Sequence, residues 1–140
     1  MLNTEVGYRR LFFVAALYNL ALGFVFLVFF NPLMLLFEMP IPPRESAAFH
    51  QMAIVLAMVF GFGYYMVSRN LYGNRGIVVL GIIGKALVFL LFLYHFIRSG
   101  LHFLVFLIGV GDLVFAALFC KFMAFARNRT GADRYKQDQQ

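Results

Sequence analysis

The sequence predicts an all-α fold, a transmembrane antiparallel four-helix bundle. Three observations predict it. Apolar residues make up 63% of the chain and charged residues only 13%, against about 45–50% and about 25% in an ordinary soluble domain. The apolar residues gather into long, almost uncharged runs, giving a mean hydropathy of +0.83. Lysine and arginine are divided very unevenly among the connections. With 140 residues, a water-soluble globule could not bury so much apolar surface. A soluble enzyme and a nucleic-acid-binding domain are therefore excluded, and the length allows one domain.

A bilayer core about 30 Å thick is crossed by about 20 helical residues. Leu11–Phe30 is the first such run and Ala47–Ser68 the second; Ile77–Ile97 carries Lys85, and Phe103–Met123 carries Asp112. The runs are too long and too uniform for barrel strands, which alternate in segments of about ten residues. Helices also satisfy their own backbone in lipid. The domain thus covers residues 1–123, and a polar tail at 124–140 is expected to fray. Between the first two runs lies NPLMLLFEMPIPPRES. Pro32 is expected to stop the first helix, and Met34–Phe37 to form an interfacial turn or short helix. RNLYGNRG reads as a tight turn and RSGLH as a minimal hairpin. Short loops make consecutive helices antiparallel neighbours.

With four crossings, the N-terminus, second loop and tail share a side. That side holds nine cationic residues: Arg9, Arg10, Arg69, Arg75, Lys121, Arg127, Arg129, Arg134 and Lys136. The other holds two, Arg44 and Arg98. Both termini are therefore expected in the cytoplasm, and the net charge of +6 attracts anionic lipid rather than nucleic acid. Tyr8-Arg9-Arg10-Leu11-Phe12-Phe13 imitates a twin-arginine signal, but the run is too long and no small-residue cleavage site follows. Asn128-Arg129-Thr130 is a glycosylation sequon in a tail that would never meet the transferase. Cys120, the single cysteine, permits no intrachain disulfide and is expected as a small core residue.

Charges inside a membrane are costly and therefore informative. At 1.5 Å per residue, Lys85 lies about 12 Å from the arginine-rich side and Asp112 about 16 Å, on the two arms of one hairpin. They are predicted to pair in the bundle interior. Asn19, also about 12 Å deep, can offer its amide to either charge, and Tyr18 beside it can hydrogen-bond in the core. Small residues mark the same faces: Ala15, Asn19 and Gly23; Ala53, Ala57 and Gly61; Gly81 before Lys85; Gly109 and Ala116 around Asp112. Such stripes let membrane helices approach. The plain reading of this layer is structural, fixing register. The functional readings are an ion or proton relay, or an anchor for a lipophilic ligand's polar head.

His50, His95 and His102 all fall on the opposite side, where Glu38, Glu45, Met39 and Met52 also lie. Imidazoles with carboxylates or thioethers can bind zinc or copper, and a histidine pair can ligate haem, but the spacing matches no compact motif. A wet-boundary role is the plainer reading. Tyr8, Tyr64, Tyr65, Tyr72 and Tyr94 are placed as an interfacial aromatic belt. Gly61-Phe62-Gly63 reads as packing before hinge. No Walker loop, nucleophile elbow or dinucleotide fingerprint occurs.

Tyr8-Arg9-Arg10, Tyr18-Asn19-Leu-Ala-Leu-Gly23, Asn31-Pro32, a proline-containing connection, and Arg69-Asn70 with Asn74-Arg75 before Gly-Ile-Val-Val-Leu-Gly-Ile-Ile-Gly-Lys85 resemble the DoxX-like group of small four-helix bacterial membrane proteins. The resemblance covers roughly residues 8–123. It implies an inner-membrane protein that sometimes accompanies redox complexes, and it carries no catalytic set. The leading expectation is a non-catalytic bundle, either an accessory subunit or a binder of lipid or quinone, with membrane lipids and further copies or a larger complex as partners. The alternatives are an ion- or proton-coupled transporter using Lys85 and Asp112, and a redox protein with haem or metal on the histidines.

Overall fold

Thr4 opens the first helix by accepting a hydrogen bond from the Gly7 N–H at 3.1 Å, satisfying a first-turn donor that has no intrahelical partner. In the computed structural model, which describes residues 4–137 and side chains through residue 128, this helix, α1, runs Glu5–Val28. It starts earlier than the apolar run because Tyr8 is buried on its inner face, against the rings of Phe122 and Phe125 at 5.2 and 4.9 Å.

The expectation that Pro32 itself ends the first helix is corrected. In a continuous helix the proline ring would strike the carbonyl four residues back, which is that of Val28. The break falls there, with Phe29 outside helical geometry (φ −110°, ψ 29°). Pro32 instead sits in the first turn of α2, Phe30–Leu36, where a missing N–H removes no intrahelical bond. Met34, on α2, and Phe37, just after it, are buried.

A 3₁₀ turn at Arg44–Ser46 leads into α3, Ala47–Arg69. α4 runs Arg75–Ser99 and is closed by Gly100 in the left-handed conformation (φ 66°), which glycine adopts without steric penalty. α5 runs Phe103–Gln137. It passes the expected end at Met123 because Phe122 and Ala126 are core residues with no exposed surface. The expected frayed tail is thus helical at 124–137; residues 138–140 lie outside the described residues, as do the side chains of Arg129, Thr130, Arg134 and Lys136.

α1, α3, α4 and α5 are each long and apolar enough to cross a membrane, and no strand occurs among the described residues. The chain is an all-α, multi-pass membrane protein. α1 lies along α3, and α4 along α5, whereas α3 and α4 meet over a shorter stretch. An aromatic layer ties the two pairs together. Phe12 meets Phe119 and Phe122 at 4.7 and 5.0 Å, and Tyr64 meets Phe119 at 5.0 Å. At the same end Arg9 donates to the Ser68 and Arg69 carbonyls at 3.3 and 2.7 Å, a cationic cap on the C-terminus of α3. Tyr72 donates to Glu5 at 2.8 Å, and Arg75 to the Ala126 carbonyl at 3.4 Å. The start of α1, the α3–α4 turn and the later part of α5 therefore share one arginine-rich end.

Three further expectations are corrected. Tyr8 and Tyr64 face the protein interior rather than the outer surface of a belt, 3% and 1% exposed. Cys120 is exposed on the outer surface; α5 is apolar on every side, so periodicity could not say which face turns inward. Of the α3 stripe, Gly61 makes the close approach, since a Cβ there would lie 2.9 Å from Leu20, while Ala53 and Ala57 remain exposed.

Gly81 is the tightest crossing of α4 on α3. A Cβ there would sit 2.7 Å from the Tyr64 ring, and that ring is buried. Gly81→Ala is expected to cost about 1–3 kcal/mol through overpacking. Gly76→Ala, with nothing within 4 Å of the new carbon, is expected to be neutral or slightly stabilising. Unfolding titrations of the two variants in the same detergent check the contrast.

Candidate functional site

Lys85 is placed inward by the glycine one turn before it. Gly81 lets α4 press against Tyr64, and the lysine stem follows that face into the bundle, leaving the residue only 4% exposed. Its ammonium makes an ion pair with Asp112 Oδ1 on α5. It also donates to Asn19 Oδ1 on α1 at 3.1 Å. The Asn19 amide nitrogen in turn donates to the Ala57 carbonyl on α3 at 3.0 Å. This chain of bonds touches all four long helices, and each charge has an opposite charge or a dipole beside it, as burial demands.

Aromatic rings complete the setting. Lys85 Nζ lies 5.5 Å from the ring centres of Tyr18 and Tyr64 and 5.3 Å from that of Phe115, within range of cation–π attraction. Tyr18 donates to the Ile108 carbonyl at 3.2 Å, a second link from α1 to α5. A Cβ at Gly111 would lie 2.9 Å from the Tyr18 hydroxyl, so that glycine makes the room. The structure thus brings Asn19, Lys85, Asp112 and Tyr18 into one layer. The ring cage from Tyr64 and Phe115 went unread in the sequence. Gly81, four residues before Lys85 on the same face, was its available signal.

Above this layer the two helix pairs leave between them an open cavity of about 360 Å³. Tyr18, Asn19 and Asp112 border it at one end. Its walls are then almost wholly apolar, from Leu22, Ala57 and Val88 to Phe26, Ile54 and Val105. Ala53 and Ala57 are exposed because they face this space. Its size and composition are those of a small-molecule site, mostly hydrophobic with a few convergent polar groups. Asp112, with its side chain 13% exposed, is the anionic group at the border.

The histidines are engaged separately. His50 Nδ1 donates to the Ser46 carbonyl at 2.7 Å, and its ring packs on Phe30. His95 Nδ1 lies 3.3 Å from Ser99 Oγ. His102 Nδ1 accepts from the Leu104 N–H at 3.2 Å, and its ring lies against Phe37. Among the described residues no group of three His, Cys, Asp or Glu side chains is gathered to hold a metal ion.

Removing one member of a buried pair strands the other, at about 3–5 kcal/mol, whereas replacing both with apolar groups is often neutral. Asp112→Asn is therefore expected to lower folded yield and unfolding resistance more than the double variant Lys85→Met, Asp112→Leu. Yield and denaturant midpoint of purified protein measure this, and an unharmed single variant contradicts it. Compared with protein-family models, curated proteins and solved structures, the chain finds no match, so its function is argued from the site itself.

Proposed function

We propose that the chain is a non-catalytic inner-membrane protein of the DoxX-like kind that binds a lipophilic molecule, a lipid or a quinone. The observation that carries this reading is the apolar cavity between the helix pairs, bordered at one end by Tyr18, Asn19 and Asp112. An apolar body would fill the space between Ala57, Val88 and Val105, replacing lipid contacts with protein contacts. A quinone's hydroxyl or carbonyl would meet the polar layer, where Asp112 accepts and the Asn19 amide offers both functions, whereas the acyl chain of a lipid would end against it. The layer is already paired internally, so it serves as a rigid polar end wall and not as a reagent. The uneven lysine and arginine distribution supports cytoplasmic termini. The broad apolar outer surface suits lipid, further copies or a larger membrane complex.

A second reading, an ion- or proton-coupled transporter, draws support from one observation: Asp112 touches both Lys85 and the cavity. Proteoliposome flux that disappears in an assembled charge-neutralised variant favours it, and unchanged flux excludes it.

Ala57→Phe projects a ring into the cavity while keeping the carbonyl that Asn19 uses. It is expected to lower the affinity for a short-chain quinone or a phospholipid by about tenfold or more, corresponding to at least about 1.4 kcal/mol. Native mass spectrometry of gently extracted protein, wild type beside variant, counts the retained molecules. Equal retention contradicts the binding reading.

A further inference from the structure

A second cavity, of about 440 Å³, adjoins the first. It is lined by the end of α1, the start of α2, the proline-rich connection and the beginning of α3. Phe26 and Ile54 wall both spaces, so only those two side chains need stand between them. Their chemistry differs sharply. The inner space is apolar except at its border with Asp112. The outer one brings Asn31, Arg44, His50 and Gln51 to its wall.

Arg44 is the one charged side chain on that wall, and the carboxylates of the same connection, Glu38 and Glu45, do not line it. Among the described residues Arg44 has no carboxylate partner. A guanidinium presents a planar fork of donors matched to phosphate and carboxylate oxygens, and the neighbouring amides of Asn31 and Gln51 add further donors. The arrangement runs from cationic and polar, at the head of α3, to apolar, toward the middle of the bundle. That is the polarity of a lipid lying beside the helices, with its head at the membrane surface and its chain toward mid-bilayer.

We infer that the two cavities form one site for an anionic membrane amphiphile, its phosphate or carboxylate head on Arg44 and its acyl chain in the inner cavity. The inference rests on the reading that the inner cavity holds a lipophilic molecule, and it adds the charge of the head and the direction in which the ligand lies. It places the chain, and not the head, against the Lys85–Asp112 layer.

The test uses the full chain, delipidated in neutral detergent and titrated with phosphatidylglycerol or phosphatidylcholine carrying identical acyl chains. Native mass spectrometry counts bound lipid. The wild type should prefer phosphatidylglycerol. Arg44→Gln should weaken phosphatidylglycerol binding about tenfold and phosphatidylcholine, whose phosphate is offset by its own choline, by clearly less, so that the preference falls; inorganic phosphate alone should not displace the lipid. A wild type without preference, a preference kept by Arg44→Gln, or displacement by inorganic phosphate overturns the inference. Ala57→Phe should reduce binding of both lipids. If it reduces neither, the reading of the inner cavity fails, whatever Arg44→Gln shows.

Discussion

One ammonium group buried in a membrane-spanning bundle constrains everything around it. An uncompensated charge at that depth costs at least about 2.5–3.5 kcal/mol, so Lys85 must be answered by groups from its surroundings. Asp112 answers it with charge, Asn19 with an amide oxygen, and the rings of Tyr18, Tyr64 and Phe115 with their faces. Asn19 passes the bond on to the Ala57 carbonyl. Every long helix contributes to this layer, and in lipid no hydrophobic force between helices would otherwise choose their partners or their register.

The layer also explains why the bundle is not uniform. Toward the arginine-rich end, the aromatic stack of Phe12, Tyr64, Phe119 and Phe122 and the caps from Arg9 and Arg75 hold the two helix pairs together. Toward the other end the small side chains Gly23, Ala53 and Ala57 and the slim Val88 and Val105 leave a gap. Polar groups are confined to the border of that gap, where they are already bonded to one another. A site built in this way holds a molecule by shape and apolar contact, and orients it by its poles.

Four crossings and the pairing of Lys85 with Asp112 were legible because length, hydropathy and helical rise are properties a linear sequence states directly. Facing directions were far less legible. A membrane helix is apolar all round, so its buried and lipid-facing sides carry similar residues, and nothing in the sequence turns Cys120 outward or Tyr64 inward. The break at Phe29 was obscured because the proline that causes it acts on a carbonyl four residues earlier. The continuation of α5 past Met123 was hidden by charged residues that read as tail, although Phe122 and Ala126 keep one face in the core. The cavity itself is lined by residues of all four long helices, and no local pattern records how they come together.

The most direct measurement of the central claim is a solid-state NMR dipolar coupling between ¹⁵N-labelled Lys85 Nζ and ¹³C-labelled Asp112 Cγ, made on protein in lipid bilayers. A charged amine strongly coupled to that carboxylate, and lost in Asp112→Asn, is the result the account predicts. A neutral amine, or one with no coupling to Asp112, would contradict it and would leave the four helices without the interaction that sets their register.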